Sequence, residues 1–285
     1  MHSFFDSMVP GSSFFDLLRQ CRSDLLPQMQ IKPEGLSQAE LRELKEGPHG
    51  TTILALKFRN GALIAGDRQA TEGFQVSSRR IEKVYKADEH SAIAIAGVAG
   101  PCIEMAKLFE VELTHYEKLE GVPLSLEGKA NKLSQMVKAN LPMAMQGLVV
   151  IPIFVGYDVR SGEGKIFKYD VTGGRYEETD YYATGSGGKD ARSTMKKLYR
   201  ADMTEDEAIA VGLEALIDAA EEDVGTGGPD FVRGVFPTVK LAVTSGLQDV
   251  PEARIREVCQ AVIDRRKLVE RGAKGEGEIR AGEVS

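Results

Sequence analysis

The sequence has few of the residues that build disulfides and metal sites. Its three cysteines, Cys21, Cys102 and Cys259, are an odd number at unrelated spacings, and no Cys-x-x-Cys motif occurs. Its four histidines are scattered, without the spacing that metal ligands show. We therefore expect no disulfide framework, no metal site and a location in the reducing cytoplasm.

Long apolar runs and basic charge are also missing. No stretch is apolar for long enough to cross a bilayer, and residues 1–6 lack the basic start and apolar core of a secretory signal. The formal net charge of -7 argues against a nucleic-acid binder. With 285 residues, 42% of them hydrophobic, the chain has enough material for a large core. We expect a globular protein whose partners include neither membrane nor nucleic acid.

The residues at the required positions exclude two common motifs, the phosphate-binding loop and the serine-hydrolase nucleophile elbow. The glycine-rich stretch 185–190 has Ala183 and Asp190 where a phosphate-binding loop needs glycine and serine or threonine. Thr184, two residues before Ser186, takes the place of the first glycine of a Gly-x-Ser-x-Gly nucleophile elbow. We therefore expect no cofactor.

A Gly-Thr junction opens the first strand-like run of the chain. His49-Gly50-Thr51-Thr52 precedes the apolar residues 53–58, and Asn60-Gly61 then predicts a tight hairpin turn. A threonine hydroxyl is a weak nucleophile, but a free α-amine on the same residue, with a reference pKa of about 7.7–8.0, can act as its base. We interpret Thr51 as a nucleophile that becomes N-terminal, and active, when the Gly50–Thr51 bond is cleaved.

Two charged residues downstream could serve this nucleophile. The Lys83 ammonium would disfavour protonation of the Thr51 amine, and Asp67 would be the counter-charge of Lys83. The backbone N–H of Gly97, in a glycine turn, could stabilise the developing oxyanion. Taken singly, Asp67 could be a turn acid and Lys83 a solvated strand residue. Their combination with Gly50-Thr51 favours catalytic roles.

Hydrophobic periodicity predicts alternating blocks of strands and helices. The predicted strands lie at 51–68 (a hairpin), 73–77, 81–87, 90–96, 148–157, 165–169, 175–183 and 235–243. The predicted helices are one that begins at Gly100-Pro101, a second after residue 123, and others at 188–200, 204–222 and 252–267. Pro152 argues against a continuous ladder in its strand. The pattern alone favours a sheet core with helices outside.

Several short motifs, taken in order, resemble the β-subunit of the 20S proteasome, an N-terminal nucleophile hydrolase. The motifs are Thr51-Thr52, Ala65-Gly66-Asp67-Arg68, Lys83, Ile95-Ala96-Gly97, Thr184-Gly185-Ser186-Gly187 and residues 222–228. Residues 115–124 and 228–238 resemble the actinobacterial branch of the bacterial subunits. The resemblance covers roughly residues 48–267. Each motif is weak alone, but the ordered set is specific.

The resemblance implies a role for each matching residue in catalysis. Thr51 would be the nucleophile, and Asp67 and Lys83 its charged partners. Ser186 and Asp223 would orient the amine and a water. Taken alone, Ser186 could also simply cap a helix, a role compatible with catalytic support. Gly97 would donate to the oxyanion. Thr226 would support Asp223, whose place at a helix C-terminus is electrostatically unfavourable and therefore hints at a function.

The substrate pocket is also implied by the resemblance. Its predicted substrate-binding residues are Ala70, Thr71, Ile81, Ile95, Ala99 and Ile103. None of these side chains is charged, so we expect cleavage after apolar residues. The backbones of Thr71 and Ala99 would pair with an extended peptide. Gln69 replaces an arginine that many relatives carry, and we expect little effect on the chemistry. Cys102 begins an amphipathic helix and is expected to be buried rather than reactive.

The resemblance further divides the chain. Residues 1–50 would be a propeptide removed on maturation, with an ordinary N-terminal extension as the alternative. Residues 51–268 would form an α+β catalytic domain, a four-layer αββα sandwich. The glycine- and charge-rich residues 269–285 are expected to be disordered.

The implied activity is that of a threonine endopeptidase, made as a zymogen and activated by autocatalytic cleavage. It would degrade unfolded polypeptide inside a particle of heptameric rings of this chain, flanked by rings of proteasome α-subunits and gated by a ring ATPase. A proteolytically silent ring subunit and an amidase for small molecules are the alternatives. The Gly50 junction with intact Thr51, Asp67 and Lys83 argues against the first, and the branch-specific stretches argue against the second.

Overall fold

Two five-stranded antiparallel sheets form the centre of the molecule. The computed structural model describes the backbone of residues 50–72 and 75–282, and the side chains of these except residues 72 and 269–282. The strands are β1 (Thr52–Phe58), β2 (Gly61–Gly66), β3 (Ala70–Glu72), β4 (Gln75–Ser78), β5 (Val84–Asp88), β6 (Ser91–Gly97), β7 (Val150–Asp158), β8 (Glu163–Tyr169), β9 (Arg175–Glu178), β10 (Tyr181–Gly185), β11 (Thr238–Val243) and β12 (Gly246–Asp249). The first sheet has the order β10-β1-β2-β11-β12 and the second β5-β6-β7-β8-β9, while β3 and β4 form a separate hairpin.

Helices cover the outer faces of both sheets. In the described ranges they are α1 (Ala99–Glu120), α2 (Leu126–Ala139), α3 (Leu141–Ala144), α4 (Gly188–Leu198), α5 (Glu205–Glu222) and α6 (Glu252–Gly282). Phe109 of α1 and Leu133 of α2 belong to the core on the second sheet, and Leu216 of α5 to the core on the first. A third apolar cluster, which includes Ile64 and Ile153, lies between the sheets. The predicted αββα sandwich is therefore confirmed.

The predicted hairpin of β1 and β2 is present, but its turn lies one residue earlier than expected. Phe58 pairs with Gly61, so the two turn residues are Arg59 and Asn60. No non-glycine residue described has a positive φ, which excludes the type I′ geometry that Asn-Gly favours. Gly61 instead allows a close approach, because a Cβ there would lie 2.3 Å from the Ala242 carbonyl oxygen.

Two strand predictions are wrong in detail. Pro152 does not interrupt β7, which pairs with β6 from Val150 to Gly156. Ile95, the partner of Pro152 in β6, donates its N–H to the Lys83 carbonyl on the far side of β6, so this pair shares no hydrogen bond between β6 and β7. The Pro152 nitrogen therefore faces β8, which pairs with β7 only from Ile153 onward. The missing N–H of Pro152 thus removes no ladder bond. The single strand predicted at 175–183 is two strands in different sheets, because the chain crosses between the sheets at residues 179–180.

The two ends of the predicted catalytic domain differ in how far the structure reaches. Helix α6 runs to Gly282, beyond the end predicted near Lys267. The disorder predicted for residues 269–285 stays a prediction. Of the predicted propeptide, only Gly50 lies within the described residues. In those same ranges no helix is long and apolar enough to cross a membrane.

Candidate active site

Thr51 lies immediately before β1, at one end of the strands of the first sheet. It is buried, with 6% of its surface exposed. Its carbonyl oxygen accepts the Ser186 N–H at 2.9 Å, and its own N–H donates to Ser186 Oγ at 3.2 Å. The loop after β10 therefore fixes the backbone of Thr51 on both sides of its Cα.

Asp67 and Lys83 form a buried ion pair beside Thr51. Asp67 follows β2 and Lys83 precedes β5, and the Nζ–Oδ1 distance is 2.7 Å, with 6% and 0% of the Lys83 and Asp67 side chains exposed. Asp67 also accepts the backbone N–H groups of Thr52 at 2.8 Å, Gln69 at 2.9 Å and Gly227 at 3.0 Å. These donors compensate the burial of the carboxylate and hold it in one orientation.

Burial has the largest effect on the pKa of Lys83. It lowers the pKa of Lys83 below its usual value, against the opposing attraction of the Asp67 carboxylate. A lowered pKa makes a neutral amine, and so a proton acceptor, more accessible than on a surface lysine.

The Gly50–Thr51 bond is intact and lies in the middle of this group. Thr51 Oγ1 donates to the Gly50 carbonyl oxygen at 2.8 Å, and Lys83 Nζ donates to the same oxygen at 3.3 Å. A hydroxyl nucleophile therefore sits beside the carbonyl that it would attack, and a cation polarises that carbonyl.

A partly exposed chain of polar side chains lies on the other side of Thr51. Asp223 Oδ2 accepts hydrogen bonds from Ser186 Oγ and, at 2.5 Å, from Thr226 Oγ1. Helix α4 is capped at Gly187 without a side-chain hydrogen bond, so the alternative of Ser186 as its cap is wrong. Ser186 instead connects Asp223 to the Thr51 nitrogen.

Gly97, the predicted oxyanion donor, ends β6. Its φ of +139° favours glycine, and a Cβ there would lie 2.0 Å from the Val149 carbonyl oxygen. Ile95 N–H points to Lys83 and Val98 N–H to Val149. Because N–H directions alternate along a strand, the Gly97 N–H falls on the Lys83 side, where the role predicted for it requires it to be.

The predicted substrate-binding residues meet in one cleft next to Thr51. The open cleft has an empty volume of about 430 Å³, and its lining includes all six predicted positions together with Thr51, Lys83 and Gly97. Tyr85 and Cys102 also line it, although sequence reasoning gave them no part in the pocket. Burial raises the pKa of the Cys102 thiol to about 12, which keeps this side chain neutral.

Sequence reasoning missed two residues that organise the site. Thr52 Oγ1 lies 2.6 Å from Thr226 Oγ1 and accepts the Gly187 N–H at 3.0 Å, which joins β1 to both loops of the polar chain. Gln69 was expected to matter little, but it is buried and its Nε2 donates to the Val224 carbonyl at 2.9 Å. All three contacts span at least 135 residues of sequence, so local pattern held no signal for them.

Metal ligands do not gather in this cleft. Among the residues described, no group of three His, Cys, Asp or Glu side chains could hold a metal ion. The chemistry available from these side chains is that of a hydroxyl nucleophile, a buried amine and fixed hydrogen-bond donors.

Known proteins with related sequences match most of the chain. The family model described as "Proteasome subunit" matches residues 48–232. A "Proteasome subunit beta" of Streptomyces griseus is 50% identical over 260 residues, which cover 91% of this chain and 90% of the relative. One of Acidimicrobium ferrooxidans is 54% identical over 80% of this chain and 82% of its own length. One of Jonesia denitrificans is 45% identical over 95% and 90%. The chain therefore belongs to the proteasome subunit family, in the actinobacterial β-subunit branch.

Proposed function

We propose that this member of a proteasome-type peptidase family is a threonine endopeptidase that activates itself by cleaving the Gly50–Thr51 bond. The observation that carries the proposal is the Gly50 carbonyl, which accepts hydrogen bonds from both Thr51 Oγ1 and Lys83 Nζ. A nucleophile, a polarising cation and a scissile bond thus meet in a buried site. A subunit with only a structural role would not need this arrangement.

Self-cleavage begins with attack of Thr51 Oγ on the Gly50 carbonyl carbon. The C–N bond then breaks, and the hydroxyl proton moves to the departing nitrogen with Lys83 as relay, which leaves Gly50 as an ester on Thr51. Water hydrolyses this ester, releases residues 1–50 with a Gly50 carboxylate, and restores the hydroxyl. The new Thr51 α-amine is the base that the precursor lacks.

Peptide hydrolysis uses the same hydroxyl with the freed amine as base. Ser186 and Asp223 hold that amine. In the precursor the same Thr51 nitrogen, as an amide, already donates to Ser186 Oγ at 3.2 Å. The Gly97 N–H stabilises the oxyanion of the tetrahedral intermediate. Ala70, Ile81 and Ile103 supply apolar side chains to a cleft that Gln69 and Glu82 also line, and these apolar side chains favour apolar residues before the cut.

The proposed setting is a closed particle in the cytoplasm. Copies of this chain form heptameric rings with flanking rings of α-subunits, and a ring ATPase delivers unfolded polypeptide. The family membership supports this setting.

The test is the intact mass of the full-length chain after co-expression with its candidate α-subunit. We expect a chain that begins at Thr51. The Thr51→Ala variant keeps residues 1–50 and has no activity, whereas Thr51→Ser, the matched control that retains a hydroxyl, is processed. A full-length wild-type chain in an assembled ring would instead support the silent-subunit alternative.

The specificity is tested with peptides that differ only in the residue before the cut. We expect those with apolar residues to be cleaved fastest and small amides to be poor substrates. Fastest cleavage after acidic or basic residues would contradict the pocket assignment, and a preference for small amides would favour an amidase.

A further inference from the structure

The residue before the scissile bond is held on every side in a way that differs from the handling of a peptide substrate. The Gly50 N–H donates to Thr71 Oγ1 at 2.9 Å. Its carbonyl oxygen accepts from Lys83 and Thr51. Its Cα faces the backbone of Gly225, since a Cβ on Gly50 would lie 2.1 Å from the Gly225 Cα and carbonyl oxygen.

We propose that Thr71, through its hydroxyl, is a positioning residue for self-cleavage, and that the Gly225 backbone leaves room only for glycine before the cut. This inference rests on the proposed self-cleavage of Gly50–Thr51. It assigns the Thr71 side chain a task in the precursor, whereas the peptide pairing proposed above uses the Thr71 backbone.

Glycine at position 50 is what makes a second anchor necessary. Glycine has the largest backbone freedom of any residue, so the Gly50 carbonyl can rotate away from Thr51 Oγ unless its N–H is also held. Thr71 fixes the N–H end of this residue and Lys83 fixes the carbonyl end. A nucleophile and carbonyl kept in a near-attack geometry react much faster than a mobile pair.

A bulge in the β3–β4 hairpin lies opposite Thr71. Ala70 pairs with Ser78 and Thr71 with Val76, so the extra residue, Ser77, lies on β4. Bulges are common next to active sites. This bulge faces the β3 residue whose hydroxyl reaches Gly50.

The residue before the cut is therefore held differently in the precursor and in a peptide substrate. The side chain of a substrate residue before the cut would enter the apolar cleft. A side chain on Gly50 would collide with the Gly225 backbone instead, and a main chain cannot rotate aside as a side chain can. The Thr51 hydroxyl thus attacks carbonyl groups held in two different ways, one in its own precursor and one in peptides.

The test follows the loss of residues 1–50 over time in full-length chains assembled with the α-subunit, by intact mass. Thr71→Val replaces the hydroxyl with a methyl group of similar size and should slow processing about tenfold, the order expected for one partly buried hydrogen bond. Thr71→Ser, which keeps the hydroxyl, should restore a rate near wild type. Rates are taken per assembled particle, so a purely structural defect would lower the yield without changing the rate.

Further variants keep the inference testable if Thr71→Val does not assemble. Thr71→Ala removes the same hydroxyl without β-branched bulk and should give the same slowing. Gly50→Ala should process at least tenfold more slowly because of its clash with Gly225. Wild-type rates in Thr71→Val or Thr71→Ala, with Thr51→Ala unprocessed, would overturn this inference alone. Normal processing of Thr51→Ala would overturn the proposed function.

Discussion

The two sides of Thr51 are built from different kinds of polar contact. On one side, Asp67 and Lys83 form an ion pair whose side chains are at most 6% exposed. On the other side, Ser186 is exposed and Asp223 half-buried, and hydroxyl groups link them to the threonine. A buried charge that loses its partner is costly, whereas solvent can replace much of an exposed contact. The buried side should therefore control both stability and chemistry, and the exposed side mainly chemistry.

The largest expected effect follows from removal of the Lys83 amine. Lys83→Met leaves the Asp67 carboxylate buried without a cation, so the free energy of unfolding should fall by about 3–5 kcal/mol. Processing and peptide hydrolysis should both be lost. Denaturant unfolding measures the first effect, in a Thr51→Ala background in which Gly50 stays attached.

A double variant provides the control for Lys83→Met. Asp67→Asn combined with Lys83→Met removes both charges, so its loss of stability should be smaller than the sum of the two single losses, and it should have no activity. A double variant that is as unstable as the sum of the two singles would show that the ion pair is not the coupled unit described here.

The lowered pKa of Lys83 predicts a pH dependence of stability on the buried side. Between the pKa of Lys83 in the folded chain and its usual 10.5, the unfolded state binds more protons than the folded state. Stability should therefore rise with pH in that window, by up to about 1.4 kcal/mol per pH unit. Lys83→Met should lack this rise. Equal pH profiles for Thr51→Ala chains with and without Lys83 would contradict the assignment.

The exposed side should show a smaller and more selective effect. Asp223→Asn removes the charge that accepts from Ser186 and Thr226, and peptide hydrolysis should slow about 10- to 100-fold. Unfolding free energy should change by less than about 1 kcal/mol, because Asp223 is half-buried. Glu222→Gln, an exposed acid next in sequence, is the matched control and should leave both unchanged. A stability loss as large as that of Lys83→Met would remove the contrast between the two sides.

The difference between the two sides also bears on what the sequence could predict. Apolar periodicity identified strands and helices locally, whereas the four-layer αββα order came from the family resemblance. The types and order of Asp67 and Lys83 fit the chemistry of Thr51, and the structure brings both side chains together beside it. The exact turn at Arg59 was not accessible, since it depends on the contact of Gly61 with Ala242. Contacts between distant segments have no local pattern.

Gln69 illustrates this limit at the junction of the two sides. Its backbone N–H supports Asp67, and its side chain holds the Val224 carbonyl in the loop that follows Asp223. The sequence showed only a replaced arginine. The structure places a neighbouring guanidinium, that of Arg79, 3.3 Å from Gln69 Oε1. The amide can accept from Arg79 while it donates to Val224, which a second guanidinium at position 69 could not do, because arginine is only a donor.

The smallest expected effect on peptide hydrolysis is that of Gln69→Ala. It removes the tie to Val224 but keeps the backbone N–H that Asp67 accepts, so the unfolding free energy should fall by about 1 kcal/mol. Gln75→Ala, the same change at an exposed position of β4, should have no measurable effect. Peptide hydrolysis in Gln69→Ala should slow only severalfold, because Asp223 keeps its contacts with Ser186 and Thr226. Denaturant midpoints and initial rates of the two variants decide the point. A rate loss as large as that of Asp223→Asn would mean that Gln69 couples the buried ion pair to the exposed chain, and the two sides would then have to be treated as one network.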